Sequence, residues 1–528
     1  MLGYAGYEVL CYLTYGCLPA DIKEENMKKY IWARLARSVL SLILAITLIY
    51  TIIYTMVPRS NVFKNDPQYT KLSATPDKKV AYKNSIYQKI GYIEFLDSKE
   101  LQAKAQKAGY KVTKEGMAPE DKKELQAFLD KKGGNWKLGQ YESKRYYATR
   151  EVPVWERVLS FYGNLIQIDH PWKIQDPNNK DLPRYIAFKK DKSVGWALTG
   201  SGTEHKYLVY VNGQFPFIHQ NFVTFDFGIS YPTYADREVI DVIAGGQGAK
   251  KFHEVTFPTG IKRKSTVDIY TRTYQTPSRA DKIAIRNYGV GDAYTKTKSV
   301  YEDPSMIVNS AIIGLSGLCL AYLLAVPLGV TMARFKNRWF DTTSTVVLSF
   351  LMALPSIALV YIVRFIGSSI FGLPGDFTIL GAHDIRSYIL PSIILGLLTA
   401  PGIAIWIRRY MIDLQSSDFV RFARAKGLTE GEIARRHILK NALVPLVQGI
   451  PTAIVGVIAG ATFTETIFAF PGMGKMMIDS VQKNNNSMVI ALSFIFATMG
   501  VLGVFLGDIL MTIVDPRISL SSKKGGNS

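Results

Sequence analysis

The chain has 528 residues, 48% hydrophobic and 20% charged, with a net charge of +20. Several stretches of about 20 residues carry almost no charge, enough for a helix to cross the roughly 30 Å hydrocarbon core of a bilayer, so a simple soluble domain is excluded. Many Lys and Arg flank those stretches, where the positive-inside rule puts them, and this excludes the nucleic-acid partner that the charge alone would invite.

Residues 1–26 come first. Leu2–Pro19 is fairly apolar but holds Glu8 and lacks a basic leading segment, which makes it a poor signal peptide. The stretch reads as an extension with no role of its own, as an interfacial helix or as an extra span, and Met27-Lys28-Lys29-Tyr30 as a natural start. Within 27–57, a first span is expected at Ser38–Val57, ended by Pro58-Arg59. Lys28, Lys29, Arg34 and Arg37 precede it and put the N-terminus in the cytosol.

Residues 58–303 are polar and long enough to bury a core of their own. They are expected outside the cell, as a mixed α/β domain. Ser98–Ala108 and Pro119–Lys132 have helical composition, with Pro119 suited to a first turn. Lys206–Val211 and Ser265–Tyr274 are rich in β-branched and aromatic residues and read as strands. The chain's cysteines are Cys11, Cys17 and Cys319, so no disulfide framework holds this block. Its aromatics, among them Tyr207, Tyr210, Phe215, Phe217, Phe222, Phe225 and Phe227, read first as core and second as a peptide-binding surface.

Five more spans are expected in 304–516: Met306–Met332, Thr343–Phe371, Tyr388–Ile407, Pro445–Phe468 and Met488–Ile513. Arg334, Lys336 and Arg338 follow the second span. Arg408, Arg409, Arg421, Arg424, Lys426, Arg435, Arg436 and Lys440 follow the fourth. Connections 372–387 and 469–487 hold only Arg386, Lys475 and Lys483. The alternation predicts an α-helical polytopic membrane protein: six transmembrane helices, both termini cytosolic, and an α/β extracellular domain inserted between helices one and two. Residues 517–528 read as a cytosolic tail.

The connection 418–445 is unusual, being basic, amphipathic and long. Phe422, Ala423 and Leu428 are expected to form an apolar stripe beside Arg421, Arg424 and Lys426, with Ala425 between them and Gly427 either breaking the helix or permitting close packing. Thr429 is expected to cap a second helix, with Glu432 as its capping-box partner. An interfacial helix on anionic membrane lipid fits the same spacing.

Ala423-x-x-x-Gly427, followed by His437-x-Leu439-x-Asn441-Ala442-x-x-Pro445, resembles the coupling loop of bacterial ABC-importer permeases, most of all the oligopeptide/dipeptide group. The wider family begins this motif Glu-Ala-Ala, whereas here the positions are Arg421, Phe422 and Ala423, a departure usual in the peptide branch. Asp226-Phe-Gly-Ile-Ser230 with Val239–Ile243, Glu465-Thr-Ile-Phe-Ala-Phe-Pro-Gly472 with Gly474, and Asp515-Pro516-Arg517 resemble further signatures of the first of the two peptide permeases. The longer insert resembles the enlarged external domain of Gram-positive members. The resemblance implies a type I ABC-importer permease fold and a second, homologous permease subunit. It also implies two cytosolic ABC ATPases docking at Arg421–Leu428, an extracellular peptide-binding lipoprotein, and oligopeptide as cargo.

Pro451, Gly456 and Gly460 in the fifth span suit bending, close helix approach or ordinary packing. Gly503-x-x-x-Gly507 in the sixth has the same status. Arg364 and Glu465 are charges inside apolar segments at similar height; they are expected to pair at an outer gate or to reach water independently. No catalytic signal is present. Gly474-Lys475-Met476 lacks the spacing of a phosphate loop, His253-Glu254 lacks a second histidine, and the six histidines have no metal-ligand spacing. No cofactor or metal is expected, and ATP must be hydrolysed on another chain. Of the rivals, a secondary transporter lacks midplane carboxylates, and a membrane-anchored peptide receptor or sensor would need only one or two spans.

Overall fold

A computed structural model describes residues 24–113, 118–168, 186–191, 195–200, 209–210, 223–257, 260–272 and 294–514. Tyr207, Phe215, Phe217, Phe222, the 515–517 motif and most of the 1–26 extension lie outside them. The chain divides into two compact units. One comprises 1–49, 309–478 and 492–528; the other comprises 50–308 and 479–491.

The first unit is helical. Among the described residues, five helices are long and apolar enough to cross a membrane, and a bent pair makes a sixth if counted as one span. The apolar stretches are Arg34–Met56, Met306–Arg334, Arg386–Leu414, Glu430–Ile467 and Asn486–Met511. The bent pair is Trp339–Ala353 and Ser356–Ser369, turned by 107° where Thr343–Phe371 was expected to run straight. Pro355 is the reason. A residue before proline is driven out of the helical region, and Leu354 sits at φ −68°, ψ 135°.

Glycines bring the second and fourth spans together. A Cβ on Gly317 would lie 2.7 Å from the Leu395 Cβ, and one on Gly329 2.7 Å from the Ala404 carbonyl oxygen. Ser316 and Ser392 share a hydroxyl hydrogen bond of 2.6 Å at the same seam. The sixth span closes on the fifth in the same way, because a Cβ on Gly507 would meet the Gln448 carbonyl oxygen at 2.5 Å. Arg34 at the start of the first span pairs with Asp508 of the sixth at 2.6 Å.

The second unit is mixed α/β. Ile93–Leu96, Tyr146–Glu151 and Lys137–Gln140 form an antiparallel sheet with Tyr146–Glu151 central, Leu96 facing Ala148 and Leu138 facing Ala148 from the other side. Helices Ser98–Lys107 and Pro119–Lys132 pack on it through Leu101, Ala105, Leu125 and Leu129, all essentially buried. Both helices fall where composition predicted them. Of the expected strands, Val209–Tyr210 is the described part of the first. The second is interrupted at Thr266, between Lys262–Ser265 and Val267–Arg272. Phe227 is buried as core, but Phe225 is 44% exposed. Asp479–Ala491 belongs to this unit because its asparagines are satisfied there. Asn485 Nδ2 donates to Ser230 Oγ at 2.8 Å and to Thr233 Oγ1 at 2.7 Å, and Asn486 Nδ2 donates to the Tyr92 hydroxyl at 3.1 Å.

Asp121 staples this domain locally. Its carboxylate accepts the Thr113 N–H at 2.8 Å, the Thr113 hydroxyl at 2.6 Å and the Ala118 N–H at 2.9 Å, ahead of Pro119 in the first turn. Burial pushes this carboxyl up, but the three donors outweigh it and leave it below its ordinary value. Glu94 and Glu156 are likewise held down, first by their hydrogen bonds from Arg150. A carboxyl lowered by folding stabilises the fold above its ordinary range and loses that contribution as acid protonates it. The melting temperature of this unit, followed by circular dichroism, should therefore be flat near neutrality and fall on acidification below about pH 4. Asp121→Ala should lower its stability by about 2–3 kcal/mol at neutral pH and blunt the acid dependence; an unchanged acid profile would contradict the assignment.

Candidate functional site

The 418–445 connection folds as two short helical pieces joined by a tight turn. Asp418–Ala425 is helical, with Asp418 in the first turn, where a negative charge suits the helix dipole. Val420 and Ala423, three apart, are buried against Ala333, Ile407, Met411, Ile433, Ile438 and Ala442. The connection is therefore seated on the second and fourth spans and is not a loose strap.

Gly427 ends the helix. Its φ is +78°, its N–H bonds the Arg424 carbonyl at 2.9 Å, and the Leu428 N–H reaches the Ala423 carbonyl at 3.3 Å. This is a Schellman ending, which needs a left-handed residue at the glycine position. Nothing lies within 4 Å of a Cβ built there, so the glycine serves backbone conformation and not close packing. The expected capping box forms next. Glu432 N–H donates to Thr429 Oγ1 at 3.3 Å and Thr429 N–H to Glu432 Oε2 at 3.1 Å. Arg424 and Glu430 bridge the turn at 2.6 Å, an exposed pair of small energetic value.

Ile433–Leu439 is a π-helical turn leading into Lys440–Gly460. Such widening frees backbone carbonyls. Asn441 Nδ2 satisfies one, the His437 carbonyl, at 2.8 Å, so the His437/Asn441 spacing is a backbone device. Pro445 supplies no N–H to the Asn441 carbonyl four residues earlier, which prolongs the irregular stretch.

The face left in solvent carries Arg421, Phe422 and Asp418. Phe422 is 63% exposed, and the Lys426 ammonium lies 4.7 Å from its ring centroid. This corrects the expected stripe. Phe422 and Ala423 are consecutive and therefore about 100° apart around a helix, so they cannot share a face. Ala423 points inward with Val420, and Phe422 points out. Val420 was missed, although its i, i+3 spacing to Ala423 was visible.

One buried ion pair braces this platform. Asp341, 1% exposed, accepts Arg408 Nε at 2.5 Å and Nη2 at 2.7 Å, and also takes the Asn337 N–H at 2.9 Å. Arg408 adjoins Ile407 of the buried cluster and ties the fourth span to the first half of the bent pair.

Glu465 and Arg364 do not pair with each other. Arg364 binds Asp376 at 2.9 Å and donates to the Ile467 carbonyl at 3.3 Å, with its guanidinium 5.7 Å from the Phe468 ring centroid. Glu465 is fully buried. Ser310 Oγ donates to its Oε1 at 2.6 Å, and the Lys475 N–H to its Oε2 at 2.9 Å. Its carboxylate thereby caps the Met473–Gln482 helix. Each charge has a nearer partner, and height along a span does not fix the direction a side chain faces. Gly472 folds directly over the acid: a Cβ there would lie 2.3 Å from the Glu465 carboxyl carbon. Ser310 and Asn309, which donates to the Pro471 carbonyl at 3.0 Å, fasten this turn to the second span and carried no signal in the sequence.

In the fifth span, a Cβ on Gly456 would meet nothing within 4 Å, so the close approach expected there is made elsewhere. A Cβ on Gly503 in the sixth span would lie 3.1 Å from Val455 Cγ2 and 3.2 Å from the Pro451 carbonyl oxygen. Gly460 ends the Lys440–Gly460 helix. Among the described residues no cluster of His, Cys, Asp or Glu could hold a metal ion.

Residues 325–520 match the family model described as a binding-protein-dependent transport system inner membrane component. The oligopeptide transport system permease protein AmiC of Streptococcus pneumoniae serotype 4 is 60% identical over 500 residues, covering 94% of this chain and 100% of AmiC. The oligopeptide permease OppB of Salmonella typhimurium is 33% identical over 216 residues, 40% of this chain and 68% of its own length. The corresponding AppB of Bacillus subtilis is 31% identical over 219 residues, 40% of this chain and 69% of its own.

Proposed function

Because the chain belongs to the family of oligopeptide transport system permeases, we propose that it forms half of the membrane pathway of an ATP-driven importer of oligopeptides. The observation that carries this reading is the 60% identity running over the entire length of one such permease. The other half of the pathway is a second, homologous permease, for which the open side of the fifth span at Gly449 and Gly456 leaves room. The chain holds no ATPase motif, so two cytosolic ATPases supply the energy. A peptide-binding lipoprotein delivers cargo from outside, where the 58–303 block lies, and both termini are cytosolic.

The ATPase dock is the exposed face of Asp418–Leu428. Phe422 is the knob, with Arg421 and Lys426 beside it for an acidic groove rim. Val420 and Ala423 transmit its displacement to the second and fourth spans, and the 433–445 stretch carries it into the fifth. This reading is supported by a helix that is rigidly seated on one side and presents an unburied aromatic on the other. Deleting this chain from its cell should abolish uptake of labelled oligopeptide while leaving free amino-acid uptake intact. Phe422→Asp leaves the buried face untouched. It should reduce ATP-driven uptake at least tenfold, with surface level and melting temperature unchanged; uptake within twofold of the parent would reject the dock.

A further inference from the structure

The last turns of the first apolar helix, Tyr50–Met56, belong to the 50–308/479–491 unit, and so do the first turns of the sixth span, Asn486–Ala491. This unit therefore carries the membrane ends of two spans. The helix Val154–Leu165 lies against the first and borders the second. The Phe161 ring centroid is 5.5 Å from that of Tyr50, and the Arg157 guanidinium is 5.5 Å from the Tyr54 ring centroid. Phe161 and Asn164 line one cavity with Ser487 and Ile490. Tyr50 comes six residues before Met56, where the apolar stretch ends. At the helical rise, Phe161 thus packs about 9 Å inside that end.

The apolar arc of this helix is wider than the face it buries. Arg157 and Leu165 are buried and Phe161 is half-buried. On the neighbouring flank, Trp155 and Leu159 stand one turn apart and are 66% and 64% exposed. Beyond them the surface turns polar: Glu156 is held by Arg150, and Ser160, Gly163 and Asn164 are exposed. The strand Ile166–Ile168 follows without a break and pairs with Val223–Phe225. Ile166 stands opposite Phe225 and Ile168 opposite Val223, which adds four exposed apolar side chains on one face of that ribbon.

Lipid is at hand at this level. On the other side of the first span from Tyr50 and Tyr54, Ile52 and Met56 are also exposed. An interfacial helix buries its apolar face about 5–10 Å into the boundary between headgroups and acyl chains, which matches the depth at which Phe161 meets Tyr50. Tryptophan is enriched at that boundary. The one basic residue of the helix, Arg157, is buried, so attachment through this helix is apolar and not electrostatic.

We propose that Val154–Leu165 is an interfacial helix. Its Trp155/Leu159 flank inserts into the lipid leaflet at the Met56 end of the first span and anchors the α/β unit to the bilayer surface. The inference needs the membrane spans and not the transport reading.

The test uses the full chain in phosphatidylcholine nanodiscs, with Cys11, Cys17 and Cys319 replaced by alanine. One nitroxide at a time is attached to Leu159→Cys, Ser160→Cys or Ile52→Cys. Power saturation then reads collisions with oxygen, which concentrates in lipid, and with a water-soluble nickel chelate. The oxygen-to-nickel ratio on Leu159→Cys should match that on Ile52→Cys within twofold and exceed that on Ser160→Cys at least fivefold. Adding anionic phosphatidylglycerol should leave it unchanged. High accessibility to nickel would place the flank in water. Low accessibility to both probes would mean that protein covers it, whether another segment, a second copy or a partner. Either result overturns the assignment. If a labelled chain misfolds, the unlabelled one decides. Lipid brominated high on its acyl chains should quench the parent's tryptophan emission more than that of Trp155→Phe, and equal quenching would overturn the assignment.

Discussion

Arg408→Ala should destabilise the membrane unit by about 3–5 kcal/mol, because it strands the Asp341 carboxylate in an environment where a lone charge is heavily penalised. Asp341 is 1% exposed, and two of its three hydrogen bonds come from Arg408. The reverse deletion, Asp341→Ala, should cost less, since the Arg408 side chain is 25% exposed and can turn toward water. Replacing both together, as Asp341→Leu with Arg408→Met, should recover most of the loss, because the desolvation of both charges disappears with their attraction. Thermal unfolding in detergent, read from tryptophan fluorescence, gives the three values. Singles within about 1 kcal/mol of the parent would show that the pair does not brace the platform beneath the 418–425 helix.

The second large effect is expected at Gly472. A methyl group there would sit 2.4 Å from both carboxylate oxygens of Glu465. A flexible side chain would swing aside, but this one is fully buried and fixed by the Ser310 hydroxyl and the Lys475 N–H. Gly472→Ala must therefore break those hydrogen bonds or displace the turn. Overpacking of this kind costs about 1–3 kcal/mol and the lost charged hydrogen bonds a further ~1.5–3 kcal/mol. In a Glu465→Ala background the clash is gone, so the added cost of Gly472→Ala should fall below about 1 kcal/mol. Equal costs in both backgrounds would mean that the glycine is needed for another reason.

These two sites mark where sequence reasoning stops. Features set by neighbours in the chain were legible. Pro119 opened its helix, and the Thr429/Glu432 box formed as written, because a capping motif specifies its own partner three residues on. The apolar segments were legible because bilayer thickness fixes their length. Features set by direction were not. The height of Arg364 and Glu465 along their spans was estimated, but a helix turns through about 100° per residue, and the partners Asp376 and Ser310 depend on which way each faces. Arg408 was counted with the charges of the connections, where it marked topology, Asp341 drew no notice, and nothing local joins two residues 67 positions apart. The bend at Leu354-Pro355 was within reach, since the residue before a proline resists helix, but apolarity runs unbroken across it and hid the break. Phe422 was legible as a member of the motif and misjudged as to face.

In the proposed importer, separate ATPases move the chain, and the buried seat of the 418–425 helix is the contact through which they would act. The most direct test reconstitutes the chain with its partner permease in sealed vesicles and compares uptake of labelled oligopeptide with and without the two ATPases, at fixed ATP and binding protein. Accumulation against the gradient is expected only when the ATPases are present, and should vanish in the complete assembly carrying Phe422→Asp. Uphill accumulation by the permeases alone would contradict the account.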